Sequence, residues 1–103
     1  MAIKVVTEFL KNATIRVIAY VYDDDGDLVA PSSVTIDLWD ADGTPLQEAT
    51  AMDVTGATGV YEHYEYTDTD SPVGHWRGVV WAIDGDGATA KKSEGSFGFK
   101  VKA

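Results

Sequence analysis

The chain has 103 residues, with 17 acidic against 8 basic side chains, three Trp and no Cys. That length suits one compact domain burying roughly 65% of its unfolded surface without a disulfide or structural zinc, and the missing Cys excludes a Cys₄ zinc site, an iron–sulfur cluster and a thiol nucleophile. A net charge of −9 speaks against nucleic acid and against an anionic membrane as partners, because both need Lys and Arg to offset phosphate charge.

The N-terminal stretch Ile3-Lys4-Val5-Val6-Thr7-Glu8 predicts a first strand over 3–8. Lys4, Glu8 and Lys11 interrupt its apolar residues, so no signal-peptide core stands out, and no run approaches the ~20 apolar residues of a membrane span. The location is left open by this stretch: intracellular if Met1 is the native start, and extracellular if a signal has been removed. From Thr14 to Tyr22, Ile15, Val17, Ala19 and Val21 alternate with Arg16, Ile18, Tyr20 and Tyr22. Period two marks a strand with one buried face, here 13–22. Asp25-Gly26 then signals a turn, since Gly tolerates positive φ and Asp bonds its own backbone. Val34, Ile36 and Leu38 alternate with Thr35, Asp37 and Trp39, giving a strand over 33–40, closed by Asp42-Gly43. Leu46 to Met52 reads as a short edge strand, 45–50.

Strand 59–66 has no clean phase, because Tyr61 and Tyr64 cannot share a face at strict period two. Tyr64 and Tyr66 face in, or Tyr61 and His63 do, or a bulge near Glu62 lets both ends contribute; the bulge is favoured. Ser71-Pro72 and Gly74 precede 75–83, where Trp76, Gly78, Val80 and Ala82 alternate with Arg77, Val79, Trp81 and Ile83. Trp76 is assigned to the core, with its indole N–H seeking a backbone acceptor. After Asp84-Gly85-Asp86-Gly87, the phase of Phe97, Phe99 and Val101 predicts a last strand over 95–102. Seven short strands with turns between them, and no convincing helical stripe, predict a single all-β antiparallel sandwich over residues 1–103.

The order of Asp25-Gly26, Leu28-Val29, Val34-x-Ile36-x-Leu38, Asp42-Gly43, Gly59-Val60-Tyr61, Gly74-His75-Trp76, Val80-x-Ala82 and Phe97-x-Phe99-x-Val101 resembles the N-terminal immunoglobulin-like domains of phage baseplate and tail proteins. It is also similar to stand-alone immunoglobulin-like proteins encoded among phage and prophage structural genes. Macroglobulin-type sandwich domains share the Gly-x-Tyr and Gly-x-Trp punctuation. The resemblance covers about residues 10–102 and implies an immunoglobulin-like sandwich with a virion- or tail-associated assembly or adhesion role. The Cys pair of antibody domains is missing, and sandwiches host many roles.

Two candidate sites follow. If successive strands run antiparallel, the loops at 23–33, 51–58 and 84–88 share one end and gather Asp23, Asp24, Asp25, Asp27, Asp53, Asp84 and Asp86. Carboxylates ~10 Å apart repel by ~0.4 kcal/mol per pair in water, which a hard cation with oxygen ligands would relieve. The expected metal set is Asp23, Asp25, Asp27, Asp53, Asp84 and Asp86, with calcium as the ion. Against it, Gly26 stands fourth after Asp23 rather than sixth, no closing Glu follows, and solvated turns explain the same residues.

The other candidate is the outward phase of the sheet built from 33–40, 75–83 and 95–102. There Trp39, Val79, Trp81 and Ile83, with Arg77 and Asp37 nearby, form an interface candidate or lie under a covering loop. Ile18, Tyr20 and Tyr22 make a weaker candidate on the other sheet. A sugar platform lacks the polar groups that would surround the indoles. Neither His63 nor His75 sits in a nucleophile-elbow or phosphate-loop motif, and Glu62 with Glu65 implies no cleft, so no enzyme activity is expected. The expected function is a non-enzymatic structural and interaction module that meets a protein partner or a second copy. The alternative is a calcium- or ligand-binding sandwich module of a cell-surface or secreted protein.

Overall fold

The computed structural model describes residues 1–10, 14–68, 71–85 and 90–102. Eight strands run in chain order: β1 (Ala2–Leu10), β2 (Thr14–Tyr22), β3 (Ser33–Trp39), β4 (Pro45–Ala51), β5 (Asp53–Val54), β6 (Val60–Tyr66), β7 (Gly74–Asp84) and β8 (Lys91–Val101). They form two four-stranded antiparallel sheets, β1-β2-β6-β5 and β4-β3-β7-β8. The all-β architecture is the expected one, with eight strands in place of seven. The additional strand is β5, two residues long, and period two has nothing to read over so short a span. Met52 is the single residue between β4 and β5. It is buried, bonds Val34 O through its N–H at 3.0 Å, and carries the chain from one sheet to the other.

The core follows from strand phase. Ile15, Val17, Ala19 and Val21 of β2 face Val34, Ile36 and Leu38 of β3 and Trp76, Val80 and Ala82 of β7, all buried. Side chains on alternate residues point to opposite faces, so two sheets in this phase bury one face each and leave the other outside. The two lateral seams of the sandwich differ. On the β1/β8 side, Ile3 and Val5 pack on the core beside Gly95, where a Cβ would meet Ile3 Cγ2 at 3.0 Å. On the β4/β6 side the seam is polar. His63 Nε2 and Glu65 Oε1 lie 3.0 Å apart, Gln47 Nε2 donates to the same Oε1 at 2.9 Å, and Thr50 Oγ1 donates to Gln47 Oε1 at 2.8 Å. Every member has a partner, which is what a half-buried polar group requires.

That seam resolves the phase of β6. Its pairing with β2 runs from Thr14↔Tyr66 to Tyr20↔Val60 without interruption, so the bulge expected near Glu62 is not there. Tyr61, His63 and Glu65 take the inward phase of Ile15, Val17 and Ala19, while Glu62, Tyr64 and Tyr66 face out. The irregularity lies in β4 instead. Register shifts occur against Ile36, Leu38 and Trp39, and Ala49 sits at φ 48°. Its N–H is held by Asp37 Oδ1 at 2.7 Å. A bulge on an edge strand blunts its capacity to pair with another chain.

Candidate functional site

The acidic turns are built for geometry. Asp23-Asp24-Asp25-Gly26-Asp27 and Asp40-Ala41-Asp42-Gly43-Thr44 make the same turn twice. In the first, Asp23 Oδ1 accepts from the N–H groups of Asp25 and Asp27 at 2.9 and 3.0 Å. In the second, Asp40 Oδ1 accepts from those of Asp42 and Thr44 at 2.9 and 3.0 Å. Gly26 and Gly43 stand at φ 85° and 83°, the left-handed region that a side chain enters at a cost. An Asp that bonds its own backbone two residues on is the standard device for such a turn. Asp40 is buried and Asp23 only half-buried. Asp40→Ala is therefore expected to cost about 1–2 kcal/mol, for two charge-assisted bonds lost, and Asp23→Ala less. Urea denaturation of the two variants checks the order.

The other acids expected at that loop end are dispersed. Asp24 Oδ1 lies 2.6 Å from the Met1 ammonium. That hydrogen bond, the ammonium's charge and Lys91 hold the Asp24 carboxyl below the usual Asp range. Asp84 Oδ1 accepts from Ser32 Oγ at 3.3 Å, and Ser32 Oγ in turn accepts from Gly85 N–H at 3.0 Å. Asp53 pairs with Glu62 in the β5–β6 ladder, which puts it on the outer phase of a sheet, away from the loop tips. Asp25 and Asp27 are exposed. Asp86 lies outside the described residues. Among the described residues, no group of three His, Asp or Glu side chains is placed to hold a metal ion.

The interface set does come together. Trp39 of β3 and Arg77, Val79, Trp81 and Ile83 of β7 all occupy the outward phase of β4-β3-β7-β8, in continuous register from Ser33↔Ile83 to Trp39↔Arg77. The Arg77 guanidinium carbon lies 4.8 Å from the centre of the Trp39 ring, a cation–π stack. Trp81 Nε1 donates to Asp37 Oδ2 at 3.0 Å. Since Asp37 Oδ1 also holds Ala49 N–H, one carboxylate fixes both the Trp81 indole and the β4 bulge. Sequence reading noted Asp37 only as a neighbour; its place between Trp39 and Thr35 in the outward phase was the available signal. Trp39, Val79, Trp81 and Ile83 are half-buried and Arg77 is exposed.

The opposite face, of β1-β2-β6-β5, carries Arg16 at its centre. Arg16 Nε and Nη2 donate to Glu62 Oε2 at 3.0 and 2.6 Å, and Nη1 donates to Glu8 Oε1 at 2.9 Å. The bonds to Glu8 and then Glu62 raise the guanidinium pKa above its ordinary value. The three side chains tie β1, β2 and β6 across the sheet. Ile18, outward as expected, is nonetheless only 7% exposed, whereas Tyr66 is 75% exposed. Tyr64 and Val6 are exposed on the same face, so the more exposed apolar groups lie on the face the sequence favoured less.

Glu62 faces out to Arg16 and Glu65 faces in to His63, so the two carboxylates do not meet. His63 lies between the sheets, and His75 is exposed on the outer phase of β7. Trp76 is buried and donates from Nε1 to Pro72 O at 2.9 Å, the backbone acceptor its assignment to the core called for. A feature that sequence reading passed over sits at the end opposite the Asp23–Asp27 turn. A cavity of about 350 Å³ is lined by Phe9, Ile15, Thr67, Lys100, Val101 and Lys102. Phe9 falls one residue past the predicted first strand, yet it continues the phase of Ile3, Val5 and Thr7, which would have placed it inward. No family model, curated protein or solved structure matches the chain.

Proposed function

We propose that this chain is a non-enzymatic structural and interaction module with an immunoglobulin-like sandwich fold, of the virion- or tail-associated kind that its sequence resembles, and that it docks a second copy or a protein partner through Trp39, Arg77, Val79, Trp81 and Ile83. The strand order supports the fold reading. The sheets β1-β2-β6-β5 and β4-β3-β7-β8 follow the A-B-E-D and C′-C-F-G orders of immunoglobulin sandwiches. The departures are the missing Cys pair and a core Trp on the seventh strand instead of the third.

One observation carries the functional reading. Both outward indoles are fixed before any partner arrives, Trp39 beneath Arg77 and Trp81 on Asp37. Trp and Arg are the residue types that dominate interface energy, and anchors already held in place lose little rotamer freedom on binding. Light scattering over a concentration series tests it. The wild-type chain is expected to form a discrete oligomer whose dissociation constant rises roughly 30-fold or more in Trp81→Ala, the effect of losing a hot spot of about 2 kcal/mol. The thermal melt of that variant is expected to stay within a few degrees of wild type. A wild type that is monomeric throughout, or an oligomer that Trp81→Ala leaves intact, would overturn self-docking through this face.

A further inference from the structure

We propose, on the reading that the Trp39/Trp81 face docks, that its occupant is a second copy bound head to tail, with the exposed acidic loop Asp24–Leu28 of one copy seated on the Arg77/Lys100 end of the face of the next. That face carries the opposite charge to the rest of the chain. Pairing sets Lys100 opposite His75, Gly98 opposite Arg77 and Lys92 opposite Ile83, and directly opposed residues share a face. Phe99 and Val101 are buried in the other phase, so Lys92 and Lys100 point outward with Arg77, and Lys102 continues their phase. These are four of the 8 bases in a chain with 17 acids. Among the described residues of β3, β7 and β8, the acids in the same phase are Asp37 and Glu94. Asp37 spends both oxygens, one on Ala49 N–H and one on Trp81 Nε1.

The complement is on the same molecule, at its other end. Asp24, Asp25 and Asp27 are exposed, and Leu28 beside them is 42% exposed. Asp23 Oδ1 holds the N–H groups of Asp25 and Asp27, so the loop keeps its shape and loses little freedom on docking. Asp24 meets the Met1 ammonium, Met1 O accepts from Ser93 Oγ, and Ser93 pairs with Ala82. The loop therefore stands by the end of β7, and Arg77 is five residues back from Ala82 along that strand, about 17 Å. A copy cannot seat its own loop on Arg77 and Lys100; a second copy can. The charges also select the arrangement. A two-fold, face-to-face pair would set Arg77, Lys100 and Lys102 against their own mates, and like charges across an interface suppress that pairing. Copies that each carry a net −9 repel one another unless acids meet bases. An interface between two different patches closes as a ring or grows as a filament.

Light scattering over a concentration series compares the wild type, Arg77→Glu with Lys100→Glu, Asp25→Lys with Asp27→Lys, and an equal mixture of the two variants. All four positions are exposed, and the loop variant keeps the N–H groups that Asp23 holds. Both variants are therefore expected to melt close to wild type. Each alone is expected to associate at least about 10-fold more weakly than wild type, because like charges then meet across the interface. The mixture is expected to regain association, since the intact loop of one variant meets the intact face of the other. Asp25→Asn with Asp27→Asn, which keeps turn-forming side chains, is expected to weaken association in the same direction. Wild-type association left unchanged by both loop variants, or a mixture no stronger than its parts, would overturn head-to-tail assembly and leave self-docking through the face standing. A wild type that is monomeric throughout would overturn both.

Discussion

Gly59→Ala is expected to cost about 3–5 kcal/mol, against about 1 kcal/mol for Gly26→Ala, although both glycines sit at positive φ. Gly59 has φ 76° and Gly26 φ 85°, so the conformational penalty for a side chain is similar. The surroundings differ. Nothing lies within 4 Å of a Cβ built on Gly26. A Cβ on Gly59 would stand 2.8 Å from Val29 N, 2.9 Å from Val29 O and 3.0 Å from Val21 O. All three are backbone atoms, and each belongs to the link that folds the long β2–β3 connection back on the sheet. Val21 N–H donates to Gly59 O at 2.8 Å and Val29 N–H to Val21 O at 2.9 Å. Relief of the clash would stretch these bonds at a buried position, where an unmade backbone bond is expensive. Since a domain of this size loses about 4–8 °C of melting temperature per kcal/mol, the two variants are expected to separate by 10 °C or more. Equal melts would mean that φ, and not the approach of Val29, is why glycine stands at 59.

The contrast between legible and illegible parts of the chain follows burial. β2, β3 and β7 were readable because each presents one buried face to the opposite sheet, so Ile15-Val17-Ala19-Val21, Val34-Ile36-Leu38 and Trp76-Val80-Ala82 appear as period two. β6 was not readable by the same rule. Its inward phase holds His63 and Glu65, which face Gln47 on the polar seam and not the apolar core. An aromatic count over Tyr61, Tyr64 and Tyr66 then suggests a bulge where the ladder is regular. β8 begins four residues earlier than the alternation indicated. Lys91 to Glu94 pair with Asp84 to Trp81 without apolar residues to mark the phase; the backbone ladder holds that part of the strand, together with Ser93 Oγ donating to Met1 O at 2.7 Å. The Trp39/Trp81 strip was legible as a phase, but its fixing by Asp37 was not. A contact between residues 44 apart in sequence has no local signature.

The acidic surplus also reads differently once the turns are in place. Asp-x-Asp-Gly at 23–26 and 40–43 looks like ligand chemistry when carboxylates are counted and like turn chemistry when their bonds are traced. The first Asp of each turn spends Oδ1 on two N–H groups of its own loop. Carboxylates committed to backbone in this way stabilise the connections at both ends of the sandwich, and charge spread over exposed loops favours solubility.

Trp76→Ala is expected to be the most damaging side-chain truncation, at about 3–5 kcal/mol, the range found for removing a buried aromatic. Trp76 is 2% exposed and the largest of the fully buried side chains. It packs 5.8 Å from Phe99 at an interplanar angle of 43°, and its N–H satisfies Pro72 O. The truncation therefore opens a cavity between the sheets and releases the segment leading into β7. Trp76→Phe helps to separate the two effects, because it removes the donor but keeps most of the ring volume. It is expected to cost about 1–3 kcal/mol, the combined loss of a hydrogen bond and a smaller void. A native state of this size has about 5–15 kcal/mol in total, so Trp76→Ala is expected to leave a detectable unfolded population at 37 °C. Trp81→Ala gives the internal comparison. The same residue type is removed from the outward phase of the same strand, five residues away and half-buried, and a small change in stability is expected with a large one in association. Equilibrium urea denaturation of Trp76→Ala, Trp76→Phe and Trp81→Ala tests the assignment in one experiment. Comparable losses for Trp76→Ala and Trp81→Ala would mean that the outer face contributes to the fold as the core does, and would remove the basis for treating Trp81 as an interface anchor.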